Sequence, residues 1–178
     1  MVDNINLVDE KGNRIGFMEK LEVHRLGKLH EAFSIFVFNK RGDLLLQRRA
    51  SDKYHSGGLW TNTCCSHPRA EEDRNLAVHR RLKEEMGFDC DLQEVGSFVY
   101  KAPNLKNDLI EYEFDYVFVG QVVDVLVLPN KGEVCEYKWI KLDELDADIK
   151  NNPQNYTEWL KIILQDRVFK GIFMGVFN

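Results

Sequence analysis

No run of about 18 consecutive apolar residues occurs in the chain, which excludes an ordinary membrane-spanning helix. Positive charge is in deficit as well. With 24 Lys and Arg against 29 Asp and Glu the net charge is -5, so the overall field does not favour nucleic acid or an anionic membrane as a partner. Any anion must be bound locally. Proline is scarce at four residues, and no Pro/Gly/Ser-rich linker, repeat or low-complexity tract interrupts the chain, so residues 1–178 read as a single domain. The segment Met1 to Glu10 carries Asp3, Asp9 and Glu10 instead of a basic start followed by an apolar run; no secretory signal is read, and a cytoplasmic location is expected. The four cysteines, Cys64, Cys65, Cys90 and Cys135, form no paired Cys-x-x-Cys signature. In a reducing compartment they are expected to be buried, catalytic or metal-bound rather than bridged.

What is present is enough apolar content, 44%, to build one sizeable core. Asn4 to Val8 and Arg14 to Met18 flank the turn Asp9-Glu10-Lys11-Gly12-Asn13 and predict a hairpin. Ala32 to Phe38 and Leu44 to Arg48, separated by Asn39 to Asp43, predict another pair of strands. From Glu71 to Met86 the spacing of Val78, Leu82 and Met86, with Gly87 beyond, predicts a helix on which Ala77, Arg81 and Glu85 share a stripe. Strands are predicted at Val95 to Tyr100, Leu109 to Val119, Val122 to Leu128 and Val134 to Ile140, and helices around Leu142 to Ile149 and Tyr156 to Phe169. In the second of these strands Ile110, Tyr112, Phe114, Tyr116 and Phe118 alternate with Glu111, Glu113 and Asp115. Strands mixed with a few helices point to a layered α/β domain.

Three groups of residues could carry chemistry. The loop Trp60-Thr61-Asn62-Thr63-Cys64-Cys65-Ser66-His67-Pro68 crowds thiol and polar groups just before the long helix. His24, His30 and His67, with Glu111 and Glu113 spaced about 6.5–7 Å apart on one strand face, suit a divalent cation such as Zn²⁺, Mn²⁺ or Mg²⁺. Solvated surface histidines and a solvated glutamate pair are the alternative. Lys20, Arg49, Lys53 and Arg81 are cations suited to phosphate, and Glu85 shares a helix stripe with Arg81; a diphosphate with Mg²⁺ would use both features. Each of these basic residues could equally be a solvated charge.

Together the motifs resemble the type I isopentenyl-diphosphate isomerases, which are built on the Nudix fold. Three stretches carry the resemblance: residues 60–68, Arg80-Arg81-Leu82-Lys83-Glu84-Glu85-Met86-Gly87, and Glu111-Tyr112-Glu113. The resemblance implies an α/β/α sandwich with a mixed central sheet and an N-terminal extension, within the α+β class. It implies that Cys65 and Glu113 are catalytic, that Tyr100 is an active-site tyrosine, and that His24, His30, His67, Glu111 and Glu113 hold Mn²⁺, Mg²⁺ or Zn²⁺. Glu85 would hold Mg²⁺ with the diphosphate. Lys20, Arg49, Lys53 and Arg81 would contact that diphosphate, and Trp159 would face the hydrocarbon. The partner it implies is a small prenyl diphosphate, and a monomer or weak homodimer is expected. The chain departs from the pattern at Ser56-Gly57-Gly58, where relatives often carry an aromatic-Pro-Gly turn. Three alternatives remain open: a Nudix hydrolase of a nucleoside or prenyl diphosphate, a non-catalytic diphosphate-binding module, and a structural zinc site made by Cys64, Cys65 and His67.

Overall fold

The computed structural model describes residues 3–53, 55–104 and 108–175. Its strands are β1 (Asn4–Val8), β2 (Arg14–Glu19), β3 (His30–Asn39), β4 (Leu44–Arg49), β5 (Trp60–Thr61), β6 (Cys64–Ser66), β7 (Leu92–Asn104), β8 (Leu109–Val122) and β9 (Val134–Ile140). Its helices are α1 (Lys20–Leu26), α2 (Arg74–Met86), α3 (Leu142–Asn151), α4 (Glu158–Gln165) and α5 (Arg167–Gly175). The central pairing is parallel, between β3 and β8, in register from His30↔Glu113 to Asn39↔Val122. β7 closes antiparallel on the far side of β8.

The other edge of β3 is shared along its length, and this sharing shapes the site. β1 meets it at His30, β6 pairs with Phe33 to Ile35, and β4 pairs with it only at Phe38↔Leu44. The expected β3–β4 hairpin therefore closes at its turn and then splays, and the cysteine strand enters the gap. Thr63 bolts the split: its hydroxyl donates to the Leu45 carbonyl at 2.7 Å and accepts from the Val37 amide at 2.9 Å. Buried backbone groups that lost their ladder partners are thereby satisfied.

Two apolar clusters cover the two sheet faces, giving the α/β/α layering. Phe33, Ile35, Val37 and Leu45 pack with Ala77, Val78, Leu82 and Met86 of α2. Phe36, Phe38, Leu44 and Leu46 pack with Leu145, Leu160, Ile163 and Phe173 of the C-terminal helices, with the Phe36 and Phe173 rings stacked at 4.7 Å. Alternate residues of β3 and β4 face opposite layers, which explains why both strands read as unbroken apolar runs.

Three of the elements expected from sequence take a different form in the structure. The single helix expected over Tyr156 to Phe169 is two, because the Asp166 carboxylate accepts from the Val168 and Phe169 amides and starts α5 afresh. No strand forms over 122–128 beyond the end of β8. The Leu128 amide instead donates to the Met86 carbonyl at 3.1 Å, satisfying the end of α2. Finally, the helix expected from Glu71 begins at Arg74, where the Asp73 side chain caps the Asn75 and Leu76 amides.

Candidate active site

His30 and Glu113 are cross-strand neighbours, and Ser34 is paired with Cys65 on its other side. Because alternate residues share a face, His30, Ala32 and Ser34 of β3 stand on the same side of the sheet as Cys65 and Glu113. Cys65 and Glu113 consequently flank β3 from opposite edges. Both line one cavity, with Ala32 as part of its lining and Trp159 of α4 bordering it.

The metal-ligand candidates converge from four separate elements. His24 comes from α1, His30 from β3, His67 from the loop after β6, and Glu111 and Glu113 from β8. His30 Nε2 lies 3.2 Å from His67 Nε2, and His67 Nε2 lies 3.0 Å from Glu113 Oε1. His24 Nε2 stands 3.4 Å from Glu111 Oε2. Ring orientation tests whether these groups suit a cation. His24 Nδ1 meets the Lys20 carbonyl at 2.6 Å and His30 Nδ1 the Lys28 carbonyl at 2.8 Å, so each Nδ1 must donate. In the neutral rings both Nε2 lone pairs then face the carboxylates, and acceptors point at acceptors. Among the described residues neither Glu111 oxygen receives a well-directed hydrogen bond, although both are buried. A divalent cation resolves that arrangement, and the residues fit one.

Electrostatics within the cluster run in opposing directions. Burial disfavours the charge of Glu113, yet contacts from His30 and His67 outweigh it and hold the carboxyl well below its usual range. Glu111 is likewise lowered, to about 2, by His55 and His24 against burial and the charge of Glu113. Burial drops His67 to about 3, whereas Glu111 raises His24 despite burial. Tyr100 donates to Glu113 Oε2 at 2.6 Å, and burial pushes its hydroxyl well above the usual range. Burial also raises the Cys65 thiol to about 12, although Arg49 Nη1, 3.6 Å from its sulfur, opposes the rise. At neutral pH the thiol holds its proton and Glu113 has lost its own.

The cavity is rich in cations. Lys20, Arg49, Lys53 and Arg81 all line it, and an adjoining basin shares Lys20, Lys53 and Arg81 while adding Arg69 and Arg80. Glu85 is buried between Gln47, whose amide donates to it at 2.7 Å, and Arg81. Helix spacing of four residues brings Arg81 and Glu85 together. Trp159 is held edge-on by Asn62, which accepts from its indole nitrogen at 3.1 Å, and the Arg49 guanidinium lies 5.7 Å from its ring centre.

The candidate residues named from sequence thus all border the cavity or bond to residues that do. The zinc idea built on Cys64, Cys65 and His67 is overturned. Adjacent strand residues point to opposite faces, so Cys64 is buried against α2 while Cys65 joins the other layer. Sequence reasoning missed His55, which places Nε2 2.9 Å from Glu111 Oε1. It sits in an irregular turn with no periodicity to single it out.

This curled mixed sheet between helical layers is that of the NUDIX domain, whose family model matches residues 28–160. Among solved structures, DR0079 from Deinococcus radiodurans superposes with a TM-score of 0.69 at 17% identity, covering 84% of this chain and 90% of that one. The MutT protein of Methanosarcina mazei Go1 gives 0.63 at 18% identity, covering 84% of this chain and 96% of its own. These likenesses establish the fold. Sequence relatives are more specific. Isopentenyl-diphosphate Delta-isomerase 2 of Photorhabdus laumondii is 53% identical over 93% of each chain, and that of Aromatoleum aromaticum 51% identical over 94% of this chain and 87% of its own. The isopentenyl-diphosphate Delta-isomerase of Burkholderia multivorans is 47% identical over 93% of each. The chain belongs to the isopentenyl-diphosphate Delta-isomerase family.

Proposed function

We propose that the chain interconverts isopentenyl diphosphate and dimethylallyl diphosphate, with Cys65 and Glu113 exchanging protons with the substrate. The observation that carries this reading is that Cys65 and Glu113 line one cavity together with Lys20, Arg49, Lys53 and Arg81, burial favouring the protonated thiol and the neighbouring histidines the ionised carboxylate. Lys20, Arg49, Lys53 and Arg81 bind the diphosphate, leaving the hydrocarbon to extend inward towards Trp159. An alkene has no lone pair to polarise, so the reaction needs a proton delivered on one side and another removed on the other. Addition of a proton to the terminal carbon leaves a tertiary cation at the branched carbon. Loss of a proton from the adjacent methylene then forms the internal double bond, with no net change in protons or electrons. Since the reaction runs both ways, each of the two groups must alternately give and accept.

The remaining residues support that pair. Tyr100 holds Glu113 in place through its 2.6 Å hydrogen bond. The π face of Trp159 stabilises the cation, an interaction worth about 2 kcal/mol or more in a desolvated site. His24, His30, His67, Glu111 and Glu113 would hold Mn²⁺, Mg²⁺ or Zn²⁺, and Glu85 would hold Mg²⁺ with the diphosphate. Such cations supply positive charge that fixes the carboxylates and neutralises the phosphates.

Proton NMR of the metal-loaded protein with isopentenyl diphosphate tests this reading. Growth of paired allylic methyl signals supports it. Release of phosphate without isomerisation would instead identify a Nudix hydrolase, a reading disfavoured by a buried thiol that hydrolysis would not need.

A further inference from the structure

We infer that His55 is a further ligand of the metal centre, giving this chain a four-imidazole, two-carboxylate site suited to a zinc-like cation. The inference rests on the reading of the His/Glu cluster as a metal centre. His55 is 7% exposed and its Nε2 lies 2.9 Å from Glu111 Oε1, while His24 Nε2 lies 3.4 Å from Glu111 Oε2. Donors about 2.1 Å from a common ion stand roughly 3.0 to 3.4 Å apart in octahedral or tetrahedral geometry, so these separations are those of neighbouring ligands. Donor atoms of His24, His55 and Glu111 all fall within 4.8 Å of one another, as do those of His24, His30, His67 and Glu113.

The two groups share His24, and that residue decides how many ions they hold. Its Nδ1 is engaged with the Lys20 carbonyl, so a single Nε2 lone pair serves both groups. One lone pair binds one ion, and the six donors do not all fall within 4.8 Å of one another, so a single centre forms when the ion draws His55 and Glu111 in towards His30, His67 and Glu113.

The loop is built to deliver His55 there. Ser56 takes the left-handed conformation at φ 51°, and a Cβ on Gly57 would meet the Ser51 carbonyl oxygen at 2.7 Å and that of Lys53 at 2.9 Å. Only glycine permits so close a turn at that position. Arg49 Nη2 donates to the His55 carbonyl at 3.4 Å, and the His55 ring sits edge-on to Trp159 at 5.9 Å. Arg49 thus fixes the backbone at His55, and Trp159 borders its ring. A fourth imidazole moves the donor set away from the oxygen ligands that magnesium prefers and towards zinc or cobalt.

Cadmium-113 NMR of the full chain with ¹⁵N-labelled histidine counts the imidazole ligands directly, without any reference to turnover. Coupling to four histidines is expected, and His79, bonded to Asp89 on the surface at 2.6 Å, remains uncoupled as an internal control. In zinc titrations against a chelating indicator His55→Ala weakens binding at least 10-fold, and His55→Gln, which can still hydrogen-bond Glu111, does not restore it. Coupling to His24, His30 and His67 alone overturns the inference while leaving the centre intact. Full rescue by His55→Gln also overturns it, since His55 would then only orient Glu111. Coupling to no histidine overturns the metal centre itself.

Discussion

Along β8, Glu111, Glu113 and Asp115 are buried, while Ile110, Tyr112 and Phe114, one position out of phase, are only half-buried. The adjacent strand β3 buries apolar residues on both faces. Folding alone explains β3, since each of its apolar side chains gains from leaving water. It does not explain β8, where three carboxyl groups are desolvated and a register shift of one residue would put aromatics inside instead. The acids are held in by partners that cross the sheet: histidines on Glu111 and Glu113, and Ser34, which donates to Asp115 at 2.8 Å. Burial pushes the Asp115 carboxyl well above its usual range, so this third acid is buried as the neutral form. Stability does not account for the inverted strand, whereas the proposed metal and acid-base roles of Glu111 and Glu113 would require their side chains inside.

The largest expected difference between the two faces lies in turnover. Cys65→Ala and Glu113→Gln should each lower the isomerisation rate by about 100- to 10,000-fold or more, the usual scale of a lost acid or base, with far-UV circular dichroism unchanged. Tyr112→Ala on the outer face should change the rate less than about twofold. Equal losses from both faces would remove the distinction.

Metal removal should come next in size. At a concentration of 100 times Kd, a cation bound only by the folded chain adds about 2.7 kcal/mol, or roughly 5–10 °C in Tm for a chain of this length. Calorimetry with and without chelator should show that difference in wild type and a smaller one in Glu111→Gln.

Acid should then destabilise the chelated protein. His67 is lowered to about 3 by burial, against an unfolded value of about 6.5, so between those limits the unfolded chain binds a proton that the folded chain refuses. Stability from His67 is complete above pH of about 6.5 and is lost as pH falls towards 3, by up to about 1.4 kcal/mol per pH unit. His55 is lowered by burial and adds with the same sign, while His24, raised by Glu111, opposes it. Denaturant titrations between pH 6.5 and 4.5 should show a shallower slope for His67→Gln than for wild type.

The smallest effect belongs to the outer face. Tyr112→Ala removes the contact with Lys101, whose ammonium lies 4.9 Å from the ring centre, and should cost no more than about 1 kcal/mol in thermal unfolding.

Much of this contrast was legible in the chain. The period of two placed Glu111, Glu113 and Asp115 on one face, and the four-residue spacing put Arg81 beside Glu85. Which face of β8 turns inward could not be read, because an apolar-in rule gives the opposite answer. The helix carrying His24 was missed, since Lys20 to Leu26 spans too few residues to show a period. Its start is set by the Glu19 carboxylate, which accepts from the Leu21 and Glu22 amides. The break at Asp166 and the approach of His55 depend on a cap and a tight turn, local devices that leave little trace in hydrophobic spacing.

The paired action of Cys65 and Glu113 is tested most directly by running isopentenyl diphosphate with the metal-loaded protein in D₂O. Deuterium should enter a methyl group of the dimethylallyl product in wild type, and both incorporation and isomerisation should disappear in Cys65→Ala and in Glu113→Gln. Isomer formed without solvent deuterium, or at an undiminished rate in either variant, would contradict the assignment.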